Sequence, residues 1–202
     1  MFLTPKIERA IVRATLLHEH QRRKVNRVPY IVHPYAVAFL LAHYVDDEDV
    51  IIAGLLHDVL EDVPHYAEEN LREEFGERAF RIVKEVTEDM TQAEKKNHDQ
   101  RSARWLERKK KYLLNLSDDS EEALLVVAAD KIHNLRSFLE DYTRHGEVIW
   151  SQLNTKKEGM LWFYGEVVKI ITRRLHHPLA DELKKTFIEA KNRVSGEDIF
   201  SQ

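Results

Sequence analysis

The sequence predicts an all-α fold, a single helical bundle that carries its site between helices. Three observations predict it. Apolar residues recur at helical spacing along most of the chain, and no segment alternates with the period of two that a half-buried strand requires. The punctuation is that of helices, with Thr4 before Pro5, Asp46 and Asp47 before an apolar run, and Gly76, Gly146 and Pro178 between periodic stretches. Two unbroken apolar runs, Val50 to Leu56 and Ala123 to Ala129, each turn abruptly into polar residues. Such runs read as buried helices that deliver polar groups to an interior site.

Thr4 is expected as an N-cap, with Pro5 at the first helical position and Glu8 behind it, opening a helix to about His20. Pro34 opens a second helix to about Tyr44. Because proline pushes the residue before it out of the α conformation, His33 is expected at that helix's N-terminus, just outside it. Asp46 or Asp47 caps the third helix, which carries His57 and Asp58. A fourth runs from about His65 to Phe75 and stops at Gly76, and a fifth covers Glu77 to Val86. The stretch Asp89 to Asp99 is polar and weakly periodic and reads as a mobile loop. Helices resume at Arg101 to Leu114, Asp118 to Tyr142, Glu147 to Leu175 and Pro178 to Val194. Residues 1–175 are expected to form the main domain, with 176–202 a helical extension packed on it.

Bulk properties narrow the function classes. A chain of 202 residues suits one domain and buries a substantial core without staples. It contains no cysteine, which excludes disulfides and thiolate ligands and points to a reducing cytoplasm. The N-terminus mixes charges of both signs and has no apolar signal region, and the apolar runs are too short to span a bilayer, so no membrane role is expected. With 31 basic and 35 acidic residues the net charge is −4, which argues against nucleic acid as a partner. A small anionic ligand needs only a local basic pocket. Oligomeric state is not legible.

The chemistry concentrates at the ends of the buried runs. His57, Asp58, Glu61 and Asp62 place an imidazole and three carboxylates beside a core, which is costly unless a positive charge compensates them. A metal ion does so. On a continuous helix His57 and Glu61 share one face, as do Asp58 and Asp62. His33, near the positive end of a helix dipole, is kept neutral and ready to ligate. Downstream, Asp130 and Asn134 share a helical face. His33, His57, Asp58 and Asp130 then make a two-imidazole, two-carboxylate site. Such donors suit Mn²⁺, Fe²⁺ or Zn²⁺. Four protein ligands leave open positions only in a six-coordinate ion, which favours one Mn²⁺ per chain.

These residues, in this order and spacing, resemble the HD phosphohydrolase superfamily. More narrowly, His20-Gln21-Arg22-Arg23-Lys24, Pro29-Tyr30-Ile31-Val32-His33-Pro34, Leu55-Leu56-His57-Asp58-Val59-Leu60-Glu61-Asp62, Phe75-Gly76, Val86-Thr87-Glu88 and Ala129-Asp130-Lys131-Ile132-His133-Asn134-Leu135-Arg136 resemble the hydrolase domain of RelA/SpoT-type alarmone enzymes, and particularly the stand-alone small alarmone hydrolases. The resemblance covers roughly residues 7–170. It implies Mn²⁺ on the two histidines and two aspartates, Glu61 and Asp62 acting on the attacking water, and Arg23 and Lys24 contacting the nucleotide. By the same resemblance the activity is a guanosine 3′,5′-bis(diphosphate) 3′-pyrophosphohydrolase. An HD phosphatase for a nucleoside monophosphate or NADPH is the alternative, followed by a non-catalytic nucleotide sensor.

Further residues are weighed beside that core. Asn134 and Arg136 follow Asp130 by about one turn and are candidates for substrate contact, although a surface ion pair accounts for Arg136 equally well. Arg101, Arg104, Arg108 and Lys109 to Lys111 form a basic strip, mostly a solvated face, from which Arg108 and Lys109 are candidates to meet polyphosphate. His133 and His65 read as structural or exposed, and Trp162, Phe163 and Tyr164 as core. The family pattern breaks at Arg27-Val28 (usually Gly-Thr), Val63-Pro64 (usually a threonine), Ala129 (usually leucine) and around Arg104-Trp105. These departures bear on the substrate and leave the metal ligands untouched.

Overall fold

A computed structural model describes residues 3–88, 104–153 and 155–196. Among the described residues the regular structure is helical, apart from one isolated antiparallel bridge between Arg22 and Pro29. The helices are α1 (Pro5–Leu17), α2 (Val32–Tyr44), α3 (Glu48–Leu56), α4 (Val59–Asp62), α5 (Glu68–Val86), α6 (Trp105–Leu116), α7 (Glu121–His145), α8 (Lys157–Arg174) and α9 (Pro178–Ser195). None of them is long and apolar enough to cross a membrane.

The caps follow the residues expected to make them. Thr4 accepts from the Ile7 amide, Asp47 from those of Asp49 and Val50, and Ser120 from Ala123. Helix α3 lies at the centre, with every residue from Val50 to Leu56 buried, and packs on α1, α2, α5 and α7. Gly54 lets α2 approach closely, since a Cβ there would run into the Leu41 side chain. Gly76 has φ 86° and ψ 166° and kinks α5 where the sequence separates a fourth helix from a fifth. Helix α9 packs along α7 and α8.

Several boundaries differ from expectation, for identifiable reasons. His33 lies inside α2, which begins at Val32. The turn closed by His33 N–H to the Tyr30 carbonyl (2.9 Å) starts the helix early. Pro34 then falls among the first amides, which have no intrahelical partner, so its missing N–H costs nothing. Helix α3 stops at Leu56, so His57 and Asp58 do not lie on a continuous helix with Glu61 and Asp62. The cause is local: His57 Nδ1 bonds the Gly54 carbonyl at 2.8 Å and takes the acceptor that a helical Asp58 amide would use. The expected helix from Glu147 to Leu175 is broken. Residues Gly146–Ser151 instead form a 3₁₀ turn that brings Trp150 against Phe138, ring centroids 5.4 Å apart. Other ends move by up to four residues, and α1 stops at Leu17, short of His20. The expected loop from Asp89 to Asp99, and Arg101 with it, lie outside the described residues.

Candidate metal centre

Four side chains from two helices and one interhelical turn converge at the centre of the bundle. His33 comes from the first turn of α2, His57 and Asp58 from the break between α3 and α4, and Asp130 from the middle of α7. His33 Nε2 lies 3.2 Å from His57 Nε2, 3.1 Å from Asp130 Oδ1 and 3.6 Å from Asp58 Oδ2. His57 Nε2 lies 3.1 Å from Asp58 Oδ2 and 3.8 Å from Asp130 Oδ1. The donor atoms of His33, His57 and Asp58 all fall within 4.8 Å of one another. His33, His57 and Asp130 are 2, 5 and 8 % exposed, so water does little to screen this group.

The hydrogen bonds behind these atoms decide what the site can hold. His57 Nδ1 faces a carbonyl, so in the neutral ring it carries the proton and Nε2 presents the lone pair that a metal would take. His33 Nδ1 faces His133 Nδ1 at 2.7 Å. Burial, and then His33, push His133 down to about 4, so it stays neutral and able to accept from His33. That arrangement turns the His33 lone pair inward as well. The Tyr30 hydroxyl donates to Asp58 Oδ2 (2.7 Å), Asn134 Nδ2 donates to Asp130 Oδ1, and Lys131 Nζ donates to Asp130 Oδ2 (2.5 Å). These are the outer contacts that orient ligating groups. Two imidazole lone pairs facing two carboxylates need a positive charge between them, and this donor set fits a divalent cation. The acid–base behaviour agrees. Burial alone would lower His57, yet Asp58 and then Asp130 outweigh it and raise the ring to about 9. Burial would raise Asp58 and Asp130, but His57 pulls the first below the carboxylate range, and Lys131 with His33 pulls the second well below it.

Glu61 lines a small cavity of about 50 Å³ together with His57, Asp58, Glu88, Lys109 and Asp130. Burial, then the charges of Asp62, Asp58 and Glu88, raise its carboxyl to about 8 against the pull of Lys109. The backbone carbonyl of Asp62 accepts from Gln21 Nε2 at 3.0 Å. Arg23 reaches the same neighbourhood: its guanidinium sits 5.7 Å from the Tyr30 ring centroid and donates to Asn134 Oδ1 at 3.1 Å. Lys24 follows it on the exposed side of the same turn. Arg136 points elsewhere, pairing with Glu182 of α9, which also receives the Tyr44 hydroxyl.

The basic strip divides. Arg104 pairs with Glu107 at the surface, whereas Arg108 and Lys109 turn inward to Glu88, at 3.5 and 2.5 Å. Phe163 is buried, and the ammonium groups of Lys109 and Lys131 lie 4.8 and 5.9 Å from its ring centroid. Sequence reasoning assigned no role to Tyr30, Glu88 or Lys131 and set His133 aside as structural. Lys131 carried a signal, an ammonium adjacent to a carboxylate that ends a buried run. Tyr30 carried none, because its partner is 28 residues away.

An HD domain family model matches residues 10–161. The chain is 35% identical over 175 residues to guanosine-3′,5′-bis(diphosphate) 3′-pyrophosphohydrolase MESH1 of Xenopus tropicalis, over 82% of this chain and 88% of that protein. It is 38% identical over 120 residues to the guanosine-3′,5′-bis(diphosphate) 3′-pyrophosphohydrolase of Haemophilus influenzae, covering 59% of this chain but only 17% of that much longer protein. Among solved structures, a metazoan ortholog of SpoT that hydrolyzes ppGpp superposes with a TM-score of 0.73 at 26% identity, over 94% of this chain and 97% of that one.

Proposed function

The chain belongs to the HD domain family, and on that premise we propose that it is a metal-dependent guanosine 3′,5′-bis(diphosphate) 3′-pyrophosphohydrolase. One observation carries the reading. The buried two-imidazole, two-carboxylate set stands beside Glu61 and Asp62 in a chain that aligns with 88% of a relative named for this reaction. His33, His57, Asp58 and Asp130 would hold the cation, one Mn²⁺ per chain by preference, with Fe²⁺ or Zn²⁺ also compatible with these donors. When bound, the ion supplies Lewis-acid polarisation of the attacked phosphate and a lowered pKa for water.

The chain's own residues supply the rest. Glu61, in its ionised form, takes a proton from the attacking water and Asp62 orients it, a contribution of about 10²–10⁴-fold for a placed base. Attack at the 3′ phosphorus releases pyrophosphate and leaves GDP. Arg23 presents a planar cation for the base and Lys24 an ammonium for a phosphate. Asn134, bonded to both Arg23 and Asp130, links the nucleotide contact to the ligand set. Residues 1–175 carry this machinery, residues 176–202 serve as an extension on the same body, and the cytoplasm is the natural setting for the substrate.

The test is a screen of nucleotides with Mn²⁺ in which both products are identified. Guanosine tetraphosphate is expected to be cleaved fastest, with pyrophosphate released, and chelation is expected to abolish turnover. Faster cleavage of a nucleoside monophosphate or NADPH with orthophosphate as product would replace this reading by that of a general nucleotide phosphatase.

A further inference from the structure

We infer that Gln21, held in place by His18, is a positioning residue that sets the orientation of Glu61 and Asp62. This rests on the reading of that pair as the water-activating groups. Helix α4, which carries both, is a single turn of four residues. A single turn is not self-supporting, since its nucleation cost exceeds what one turn of bonds returns, and the carbonyls at its end have no helical partner. Both ends of this turn are held by one segment, the stretch from His18 to Tyr30. At the start, the Tyr30 hydroxyl donates to Asp58 Oδ2 (2.7 Å), and at the end Gln21 Nε2 donates to the Asp62 carbonyl (3.0 Å).

Gln21 is itself oriented. Its Nε2 is committed to Asp62, so Oε1 faces His18 Nδ1 at 2.7 Å and requires that nitrogen to be the donor. His18 Nε2 is then a bare lone pair. It is buried, in a side chain only 1 % exposed, and has no hydrogen-bond partner among the described residues. Burying an acceptor unpaired has a cost, and the ring accepts it while its other nitrogen serves Gln21. Backbone bonds keep the segment rigid, with Gln21 N–H to His18 and Tyr30 N–H to Gln21 both at 3.0 Å, and the His18 and Tyr30 ring centroids lie 5.1 Å apart. The same segment carries Arg23, so the group expected to meet the nucleotide base and the group that holds the catalytic turn are two residues apart.

The experiment compares Gln21→Ala, His18→Asn and His18→Gln with Glu61→Gln and Asp62→Asn. Each metal-loaded variant is measured for kcat, KM with guanosine tetraphosphate, Mn²⁺ affinity by calorimetry and thermal midpoint. Gln21→Ala should lower kcat about tenfold, while KM and Mn²⁺ affinity stay within about twofold of wild type. Asparagine places its amide where His18 has Nδ1 and should recover most of kcat. Glutamine places its amide near the Nε2 position and should behave like Gln21→Ala. The inference is overturned if Gln21→Ala keeps full kcat while Glu61→Gln and Asp62→Asn lose it. It is equally overturned if the two His18 variants lose kcat alike, in proportion to their thermal destabilisation. Should Gln21→Ala fail to fold, the His18 pair decides the matter. If Glu61→Gln and Asp62→Asn retain full kcat, the reading of the catalytic pair fails instead, whatever Gln21→Ala does.

Discussion

Replacing Glu61 by glutamine removes a titrating proton from the cavity while keeping the side chain's length and shape. In the folded protein burial and the charge of Asp62 raise this carboxyl from 4.5 to about 8. The native state therefore holds a proton that the unfolded chain releases, and stability present below pH 4.5 is lost as pH rises toward 8. At about 1.36 kcal/mol per pH unit the upper bound is ~4–5 kcal/mol. Protein interiors screen charge more than a dry medium does, and a working figure is ~2 kcal/mol. The assay is denaturant unfolding of chelator-treated protein at pH 5.5 and pH 8.5. Wild type should lose about that much more stability across the interval than Glu61→Gln. His57 and Asp119, raised to about 9 and about 7, titrate in both proteins and cancel in the comparison. In the Mn²⁺-loaded enzyme the same substitution should lower kcat by about 10²-fold or more with metal affinity near wild type. Identical pH slopes in the two proteins would refute the placement of this proton. Loss of the metal would move Glu61 into the ligand set.

Asp58→Ala and Asp130→Ala should each lower Mn²⁺ occupancy as well as rate, because each removes an anionic donor from a buried set; calorimetry checks it, and a variant that keeps both metal and activity is not missing a ligand. Arg23→Ala should raise KM for guanosine tetraphosphate by about 5–30-fold with little change in kcat, the effect of losing a ~1–2 kcal/mol stacking contact made equally in ground and transition states. Arg23→Lys should rescue it only in part, since an ammonium cannot stack as a plane does. A kinetically silent Arg23→Ala would make the basic triplet an ordinary surface turn.

Much of the fold is a property of short stretches, and those stretches were legible. Thr4, Asp47, Gly76, Gly146 and Pro178 act on the backbone within a few residues of themselves, so caps, kinks and breaks could be placed from type and spacing alone. The apolar run from Val50 to Leu56 has no polar face, and it is the buried centre. The same logic singled out His57, Asp58 and Asp130 as candidates, because imidazoles and carboxylates at the ends of buried apolar runs demand compensation wherever they lie, and Pro34 singled out His33 before it.

Other features depended on distances that no local pattern encodes. A helix continuous through His57 was the natural reading of the periodicity, yet the ring's own bond to the Gly54 carbonyl ends it. Arg108 and Lys109 stand in the sequence as candidates to meet polyphosphate from a mostly solvated strip, and only the approach of Glu88 across some twenty residues shows the carboxylate they turn inward to. Tyr30 on Asp58, His133 on His33 and Arg136 on Glu182 are contacts between side chains from separate elements, and Gln21 reaches the Asp62 backbone carbonyl in the same way. The sequence by itself determined which imidazoles and carboxylates are candidates for the chemistry, because residue type and local spacing act at short range. Which group steadies which was decided by the tertiary structure alone, because a hydrogen bond forms only below about 3.5 Å and that separation is set by how the helices pack.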